Sequence, residues 1–172
     1  MAPLSVAEPS VASGFDSLKI WFVPSAEGVN PLSIAVLEGD AATAIDVTES
    51  FTQDSGFNAT APQNMISDPR LGKSQTFSRI GTEDPALTTK YVAANTTEDV
   101  ARAAFEKGTK GWFVERRGID NATQATAAQL VNVYPVQAGA QVPDAIATNA
   151  VDTITQSWAI TGPVQRFQAL TA

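Results

Sequence analysis

The sequence predicts a mainly β (α+β) fold with seven or eight strands, one α-helix, a long loop between strands and an arm at each terminus. Runs of alternating apolar and polar residues recur along the chain, which is typical of strands. One segment, after Thr96, combines apolar residues at helical spacing with helix-capping residues. A chain of 172 residues is long enough to bury a core without metal or disulfide.

The first third of the chain predicts an arm followed by three strands. Residues 1–14 are rich in Ala, Ser, Pro and Val without any period, which is typical of an arm that only a partner orders. Alternation then predicts strands at residues 18–23, 32–37 and 42–48. Because both faces of the first strand are largely apolar, we expect both to be covered.

A long loop is predicted at residues 49–75, where Asp-Ser-Gly, Ala-Pro and Asp-Pro interrupt any periodic pattern. This stretch nevertheless carries large apolar residues, namely Phe51, Phe57, Met65, Ile66 and Leu71. Such residues are poorly placed in water, so we expect the loop to pack on another copy of the protein. Two further strands are predicted at residues 76–80 and 87–94.

The predicted helix begins after Thr96 or Thr97, either of which is a suitable N-cap, and ends at Lys107 and Gly108. Its expected apolar stripe consists of Val100, Ala101, Ala104 and Phe105. This is the only helix that the sequence predicts.

Three strands follow the helix, at residues 112–117, 127–136 and 151–161, with a polar loop at residues 118–126. In the last strand Ile154, Trp158 and Ile160 share one face, which we expect the helix to cover. The C-terminal segment, residues 163–172, is predicted to be an arm, with Val164, Phe167 and Leu170 spaced for docking.

The absence of Cys and His excludes thiol nucleophiles, Ser-His and Cys-His dyads and the usual zinc sites. Paired acids occur at Glu38/Asp40, Glu83/Asp84 and Glu98/Asp99, but turns and a helix start explain them better than catalysis. We expect no cofactor and no metal. No apolar run is long enough to span a membrane and no signal peptide is evident, so we expect folding in the cytosol.

Charge is distributed unevenly within the net charge of −7. Residues 1–69 contain nine acidic residues and one basic residue, Lys19, whereas residues 70–172 contain nine acidic and ten basic residues. Tight binding to nucleic acid needs a basic face that displaces counterions from phosphates. The composition therefore argues against tight nucleic-acid binding.

The three tryptophans, Trp21, Trp112 and Trp158, all lie in predicted strands with apolar neighbours. A core or subunit-interface position is therefore favoured over a sugar-binding platform. Arg116 and Arg117, at a strand end, are expected to pair with nearby acids or with a neighbouring subunit.

Three short segments, GWFVERRG at residues 111–118, VNVYPVQ at 131–137 and ITGP at 160–163, resemble the major tail proteins of long-tailed, non-contractile (siphovirus-type) phages of actinobacteria. These are the tail tube subunits. The resemblance covers roughly residues 96–163 and extends to the first half only in its layout.

This resemblance implies one tail tube domain over residues 1–172, a β-sandwich or barrel-like fold with a flanking helix. It also implies homo-hexameric rings that stack head to tail into a tube of the virion, made in the host cytoplasm. The implied partners are further copies of the chain, a tape measure protein, and tail terminator and distal tail proteins. DNA would pass only transiently through an electronegative lumen. Neither enzymatic activity nor a membrane is implied.

The residue pattern and the resemblance to tail tube subunits together suggest candidate functional residues. The subunit-interface candidates are Phe51, Phe57, Met65, Ile66, Leu71, Val164, Phe167 and Leu170. The lumen or charge candidates are Asp46, Glu49, Glu115 and Arg117. The alternative function is a monomeric β-sandwich binding module, namely a glycan-binding, capsid decoration or baseplate protein, that uses Trp21 or Trp112 as an exposed platform. An enzyme relying on Asp and Glu alone ranks third.

Overall fold

The computed structural model describes residues 15–39, 43–52, 56–60, 65–67, 76–78, 86–93, 99–148 and 150–172. Strands dominate these residues, so the predicted mainly β fold is confirmed. The strands are β1 (Leu18–Pro24), β2 (Ile45–Asp46), β3 (Phe57–Thr60), β4 (Met65–Ser67), β5 (Thr76–Ser78), β6 (Ala86–Val92), β7 (Lys110–Arg117), β8 (Leu130–Pro143), β9 (Thr153–Ile160) and β10 (Gln165–Ala169). The described helices are short, α1 (Ile34–Leu37) and α2 (Val100–Ala104).

Eight of these strands form one antiparallel sheet in the order β2-β1-β7-β8-β9-β6-β3, with β10 attached to β8. The long strand β8 organises the sheet, because β7 occupies one of its edges while β10 and β9 share the other. Strand β10 pairs with the beginning of β8 and β9 with its second half. Strands β4 and β5 form a separate antiparallel pair.

The sheet curls strongly. Phe57 on β3 and Phe113 on β7 have ring centroids 5.3 Å apart, although β6, β9 and β8 lie between their strands. A flat sheet would separate strands in those positions by about 19 Å. Residues 45–52 bridge the open side, since Val47 N–H donates to Ile20 O at 3.0 Å and Thr52 N–H donates to Lys90 O at 3.0 Å. The architecture is therefore barrel-like.

Two apolar clusters lie on the two faces of this sheet. The cluster inside the curl is rich in aromatic residues and includes Phe22, Phe51, Phe105, Phe113 and Trp158. The outer cluster contains Trp21, Val23, Leu37, Ala44, Val114, Ala125, Val131, Val133 and Leu170. Strand β1 supplies both clusters, which confirms that its two faces are covered.

Helix α2 differs from its prediction at both ends, because it begins at Val100 and ends at Ala104, not at Lys107 and Gly108. Asp99 is the N-cap, and its carboxylate Oδ1 accepts a hydrogen bond from Arg102 N at 3.0 Å; Thr96 and Thr97 lie outside the described residues. Ala101 and Phe105 are fully buried as expected, but Val100 is 47% exposed. Residues four apart share a helix face, so Ala101 and Phe105 contact the sheet and Val100 does not. The ring centroids of Phe105 and Trp158 lie 5.0 Å apart, which confirms that this helix covers β9.

Two predicted strands in the first third are largely wrong. Residues 34–37 form helix α1, because Leu37 N–H and Glu38 N–H donate back to Ser33 O and Ile34 O. This segment covers the outer cluster, where apolar residues need no two-residue period. Within the described part of residues 42–48, the strand is reduced to β2, and a 3-10 turn (Thr48–Ser50) follows it.

Boundaries also differ in the second half of the chain. Strand β8 begins at Leu130, not at residue 127, and continues to Pro143. Ala128 has a left-handed backbone with φ 68°, which no strand permits. The predicted C-terminal arm contains β10, whose pairing with β8 makes it part of the sheet.

The predicted long loop contains strands β3 and β4.

Candidate assembly surface and charged network

Glu115 lies at the centre of a buried hydrogen-bond network. Its Oε1 accepts from Arg117 Nε at 2.6 Å, and its Oε2 accepts from Asn132 Nδ2 and Tyr134 OH, each at 3.0 Å. The hydrogen bond to Glu115 raises the pKa of Arg117, while burial and then the Glu115 charge raise the pKa of Tyr134. Glu115 is therefore a structural carboxylate, and its side chain is not free to line a channel.

The same network reaches Phe167 through Asn132, whose Oδ1 accepts from Phe167 N–H at 3.1 Å. Phe167 lies where the pairing of β10 with β8 shifts register, and its backbone is left-handed with φ 54°. Its side chain is 72% exposed. An aromatic residue in this conformation is strained, so the Asn132 hydrogen bond helps to hold a large apolar side chain toward solvent.

Arg116 is fully buried on the opposite face and fixes the loop that follows β7. Its guanidinium donates to the carbonyls of Asp120 at 2.9 Å and Thr123 at 2.8 Å, and to Gln129 Oε1 at 3.1 Å. It also lies 5.5 Å from the centre of the Trp21 ring. Burial lowers the pKa of Arg116, although nearby carboxylates act in the opposite direction. Sequence alone indicated only a pairing role for this residue.

The remaining charge candidates lie at the surface. Glu49 is exposed, and half of the Asp46 side chain is exposed. Asp46 Oδ1 accepts from Thr48 N–H at 3.0 Å, which fixes the turn between these two acids. Lys19 Nζ lies 3.6 Å from Asp46 Oδ2. Arg117, bound to Glu115, keeps 67% of its side chain exposed.

The interface candidates fall into different environments. Phe51 and Leu170 are buried within the subunit, and Phe57 and Val164 pack partly against the inner cluster. These four side chains are thus engaged inside the subunit, because the curl of the sheet and the pairing of β10 draw them into its own core. Phe167 is exposed.

Two further interface candidates lie in the separate strand pair. Met65 and Ile66 belong to β4, which is antiparallel to β5. Leu71 lies outside the described residues. The proposed contacts of Met65, Ile66 and Leu71 with another copy therefore rest on the sequence alone.

The tryptophans differ in accessibility. Trp21 and Trp158 are buried and Trp112 is partly buried against the outer cluster. The indole of Trp158 donates to Thr89 Oγ1 at 2.9 Å. Trp21 is therefore excluded as an exposed binding platform, and Trp112 retains only part of the surface that such a platform needs.

One exposed apolar feature was not predicted. The end of β8 exposes Val142, and the loop between β8 and β9 exposes Ile146 and Val151, with Ile146 88% exposed. The sequence feature that could have revealed this loop is the absence of charge over residues 145–151, which is unusual in a loop. Ile146 and Val151 are the only large apolar residues of this segment, so hydrophobic periodicity does not detect it.

The members of the predicted acidic pairs that the structure describes have structural roles. Asp99 is a helix cap, and Glu38 Oε1 accepts from Ala125 N–H at 2.8 Å. Asp40, Glu83, Asp84 and Glu98 lie outside the described residues. Within the part of the chain that the structure describes, no group of acidic residues is arranged to hold a metal ion.

A family model for phage tail tube protein matches residues 12–172 of this chain. The chain belongs to the phage tail tube protein family. The match covers the barrel-like sheet, the exposed Phe167 and the loop between β8 and β9. None of the curated proteins matches the chain.

Membership makes this protein a structural component of the bacteriophage tail, located in the virion. Tail tube proteins assemble into a tail, so surfaces for contact with other subunits are expected on this chain. Among the described helices of this tail tube protein, none has the length and apolar character needed to cross a membrane.

Proposed function

We propose that this tail tube protein forms homo-hexameric rings that stack head to tail into a tube, through which genome DNA passes into the host. The family match over residues 12–172 is the observation that carries this proposal. The role is structural and requires no enzymatic activity and no cofactor. Further partners would be a tape measure protein inside the tube and terminator and distal tail proteins at its ends.

Unpaired sheet edges support lateral contacts between subunits. Among the described residues, β3 pairs only with β6, and β10 pairs only with β8. A free edge presents a row of backbone donors and acceptors that a strand of another chain can complete. Rings joined through such edges would satisfy these groups and create a continuous inner sheet.

The charge of the subunit supports passage of DNA. A net charge of −7 repels phosphates, so DNA would slide along a channel of such subunits without adhering. Asp46 and Glu49 are exposed and flank one turn, which suits them for the channel wall. Buried Glu115 has the supporting role of fixing Arg117.

A deletion between β3 and β6 tests whether the segment that joins these strands is needed for assembly. Thr60 at the end of β3 lies directly opposite Ala86 at the start of β6. A two-residue Asn-Gly turn can therefore replace residues 61–85, which contain β4 and β5, without changing the pairing of β3 with β6. This deletion spares Phe51 and Phe57, which the subunit core needs.

We expect the shortened protein to fold but to form no tubes. Circular dichroism and tryptophan fluorescence would confirm the fold, and negative-stain electron microscopy with light scattering would follow assembly beside the full-length chain. Tubes of normal length from the shortened protein would show that residues 61–85 are not needed for stacking. A full-length chain that remains monomeric at high concentration would overturn the proposed tube.

A further inference from the structure

Strand β10 lies at the surface of the subunit, and all five of its residues are exposed. Among the described residues, it pairs with β8 alone. The unpaired edge of a regular strand turns a backbone N–H and C=O outward at every second residue, and a strand of another chain can bind this row. The backbone hydrogen bonds of β10 determine whether its outer edge presents such a row.

The C-terminal end of this edge is already bound within the subunit. Leu170 faces the β8 side, because its N–H and C=O form hydrogen bonds of 2.9 and 3.1 Å with residues 128–129. Alternation therefore turns Ala169 and Thr171 outward. The N–H and C=O of Thr171 form hydrogen bonds of 2.9 and 3.0 Å with residues 32–34. An incoming strand would find the groups of Thr171 occupied.

One extra residue interrupts the pairing of β10 with β8. The register shifts between Gln165 and Gln168, so Arg166 and Phe167 together lie opposite Asn132. Two residues opposite one define a β-bulge. Bulges are one of the means by which natural proteins make an edge strand unsuitable for pairing with another chain.

The bulge removes the next outward position of the edge. In a regular strand Phe167 would face outward, two residues before Ala169. Its N–H instead donates toward β8, to Asn132 Oδ1 at 3.1 Å, and its backbone is left-handed with φ 54°. Since Thr171 is bound as well, Ala169 alone among these three described positions keeps its outward groups for another chain. A single residue supports a bridge but not a ladder of hydrogen bonds.

Strand β3 presents a regular edge by comparison. Its four residues pair with β6 in one unbroken register. Gly56, the residue before β3, faces β6, because its carbonyl accepts from Lys90 N–H at 2.8 Å. Alternation then turns both Phe57 and Ala59 outward. These two positions supply the evenly spaced donors and acceptors that β10 lacks.

We infer that the extra residue of β10 closes its edge to strand addition, so that copies of this chain pair along β3 and not along β10. An edge that pairs with its own counterpart closes a dimer, so in a ring β3 meets a different surface of the next copy. A closed β10 edge removes one wrong geometry in which subunits could join. The role of β3 rests on the proposed ring, whereas closure of the β10 edge does not.

Two proline substitutions compare the edges. Ala59→Pro and Ala169→Pro each remove an outward N–H while sparing the hydrogen bonds to the neighbouring strand. We expect Ala59→Pro to raise the protein concentration needed for ring formation about tenfold, and Ala169→Pro to leave it unchanged. Light scattering and negative-stain electron microscopy would measure this. Equal effects, or a larger effect of Ala169→Pro, would contradict the role of β3.

Lysine at the same two positions replaces proline if circular dichroism shows that a proline variant is misfolded. An edge lysine disfavours pairing with another chain and keeps the backbone N–H. The expected difference between the two positions is the same.

Deletion of Phe167 tests the closed edge directly. It removes the extra residue, so β10 can pair one-to-one with β8 and turn the residue opposite Asn132 outward. Phe167→Gly is the matched control, because it removes the same ring but keeps the extra residue, and glycine accepts the left-handed backbone. Deletion of Arg166 restores the same register and is used if the first deletion is misfolded.

Both changes are made in the Ala59→Pro chain, at a concentration at which that chain is monomeric. We expect the deletion to double the particle mass by light scattering, since two opened edges can pair, and Phe167→Gly to leave the mass unchanged. No gain in mass from the deletion, or an equal gain from Phe167→Gly, would overturn the closed edge. A wild-type chain that never forms rings would overturn the proposed ring, and the deletion would still decide whether the β10 edge is closed.

Discussion

At the residue scale, the structure depends on buried polar side chains whose hydrogen bonds fix the loops and strand ends. Glu115 and Arg116 are adjacent on β7 and are both fully or nearly fully buried, yet they serve opposite faces of the sheet. Glu115 binds Arg117, Asn132 and Tyr134 on the inner side. Buried charges are tolerated only when such partners are present.

Replacing Arg116 with Met tests its role in the loop after β7. The substitution keeps much of the side-chain volume but leaves the carbonyls of Asp120 and Thr123 without their donor. We expect the free energy of unfolding to fall by about 3 kcal/mol, measured by denaturant titration. Hydrogen exchange should accelerate over residues 118–129.

The control for this prediction is Lys110→Met on the same strand. Lys110 is exposed, so its replacement should change the free energy of unfolding by less than about 0.5 kcal/mol. Equal effects of the two substitutions would show that the guanidinium does not support the loop.

At the element scale, β10 shows how pairing decides which apolar residues are buried. Leu170, directly after β10, is buried in the outer cluster, while Leu130, opposite Ala169, is half exposed. Both residues lie at the same end of the β8–β10 pair. The C-terminal segment thus contributes Leu170 to the subunit core and leaves Phe167 exposed.

Replacing Leu170 with Ala should lower the free energy of unfolding by about 3 kcal/mol, because it removes buried methyl groups and leaves a cavity. Leu130→Ala is the matched control, with the same chemical change at an exposed site. We expect it to cost less than about 1 kcal/mol. Denaturant titration of the unassembled subunit would compare them, and similar losses would contradict the docking of β10.

At the scale of the whole molecule, the curled sheet encloses one aromatic cluster and carries a second apolar cluster outside. The two tyrosines of the chain, Tyr91 and Tyr134, are both buried at the inner cluster. Burial is the main cause that raises the pKa of each. Their ionisation is therefore coupled to the integrity of the whole fold.

This coupling predicts how stability depends on alkaline pH. Unfolded tyrosine ionises near pH 10, whereas the folded tyrosines hold their protons to higher pH. The stabilising effect is fully present below about pH 10 and is lost as pH rises toward the folded pKa, because only the unfolded chain has released protons.

Difference absorbance of tyrosinate would measure this effect alongside circular dichroism. We expect the native protein to show no tyrosinate signal near pH 10, and both tyrosines to ionise together as the fold is lost. Protein in urea should titrate normally. A tyrosinate signal near pH 10 with an intact dichroism spectrum would contradict the buried positions of these side chains.

The sequence by itself determined the mainly β class, the doubly covered first strand, the apolar face of β9 and the helix packed on it. Each of these follows from local periodicity and capping, which act over a few neighbouring residues. The motifs near residues 111–118 and 131–137 also indicated the family that the chain was found to match.

Only the tertiary structure decided which side chains lie inside and which remain exposed. Phe51 and Leu170 are drawn into the core by long-range pairing, and Glu115 is buried because Asn132 and Tyr134 lie on the neighbouring strand. The exposure of Ile146 and the left-handed backbone of Phe167 have no periodic signal in the sequence. Their positions depend on sheet curvature and strand register, which arise from contacts between residues far apart in the chain.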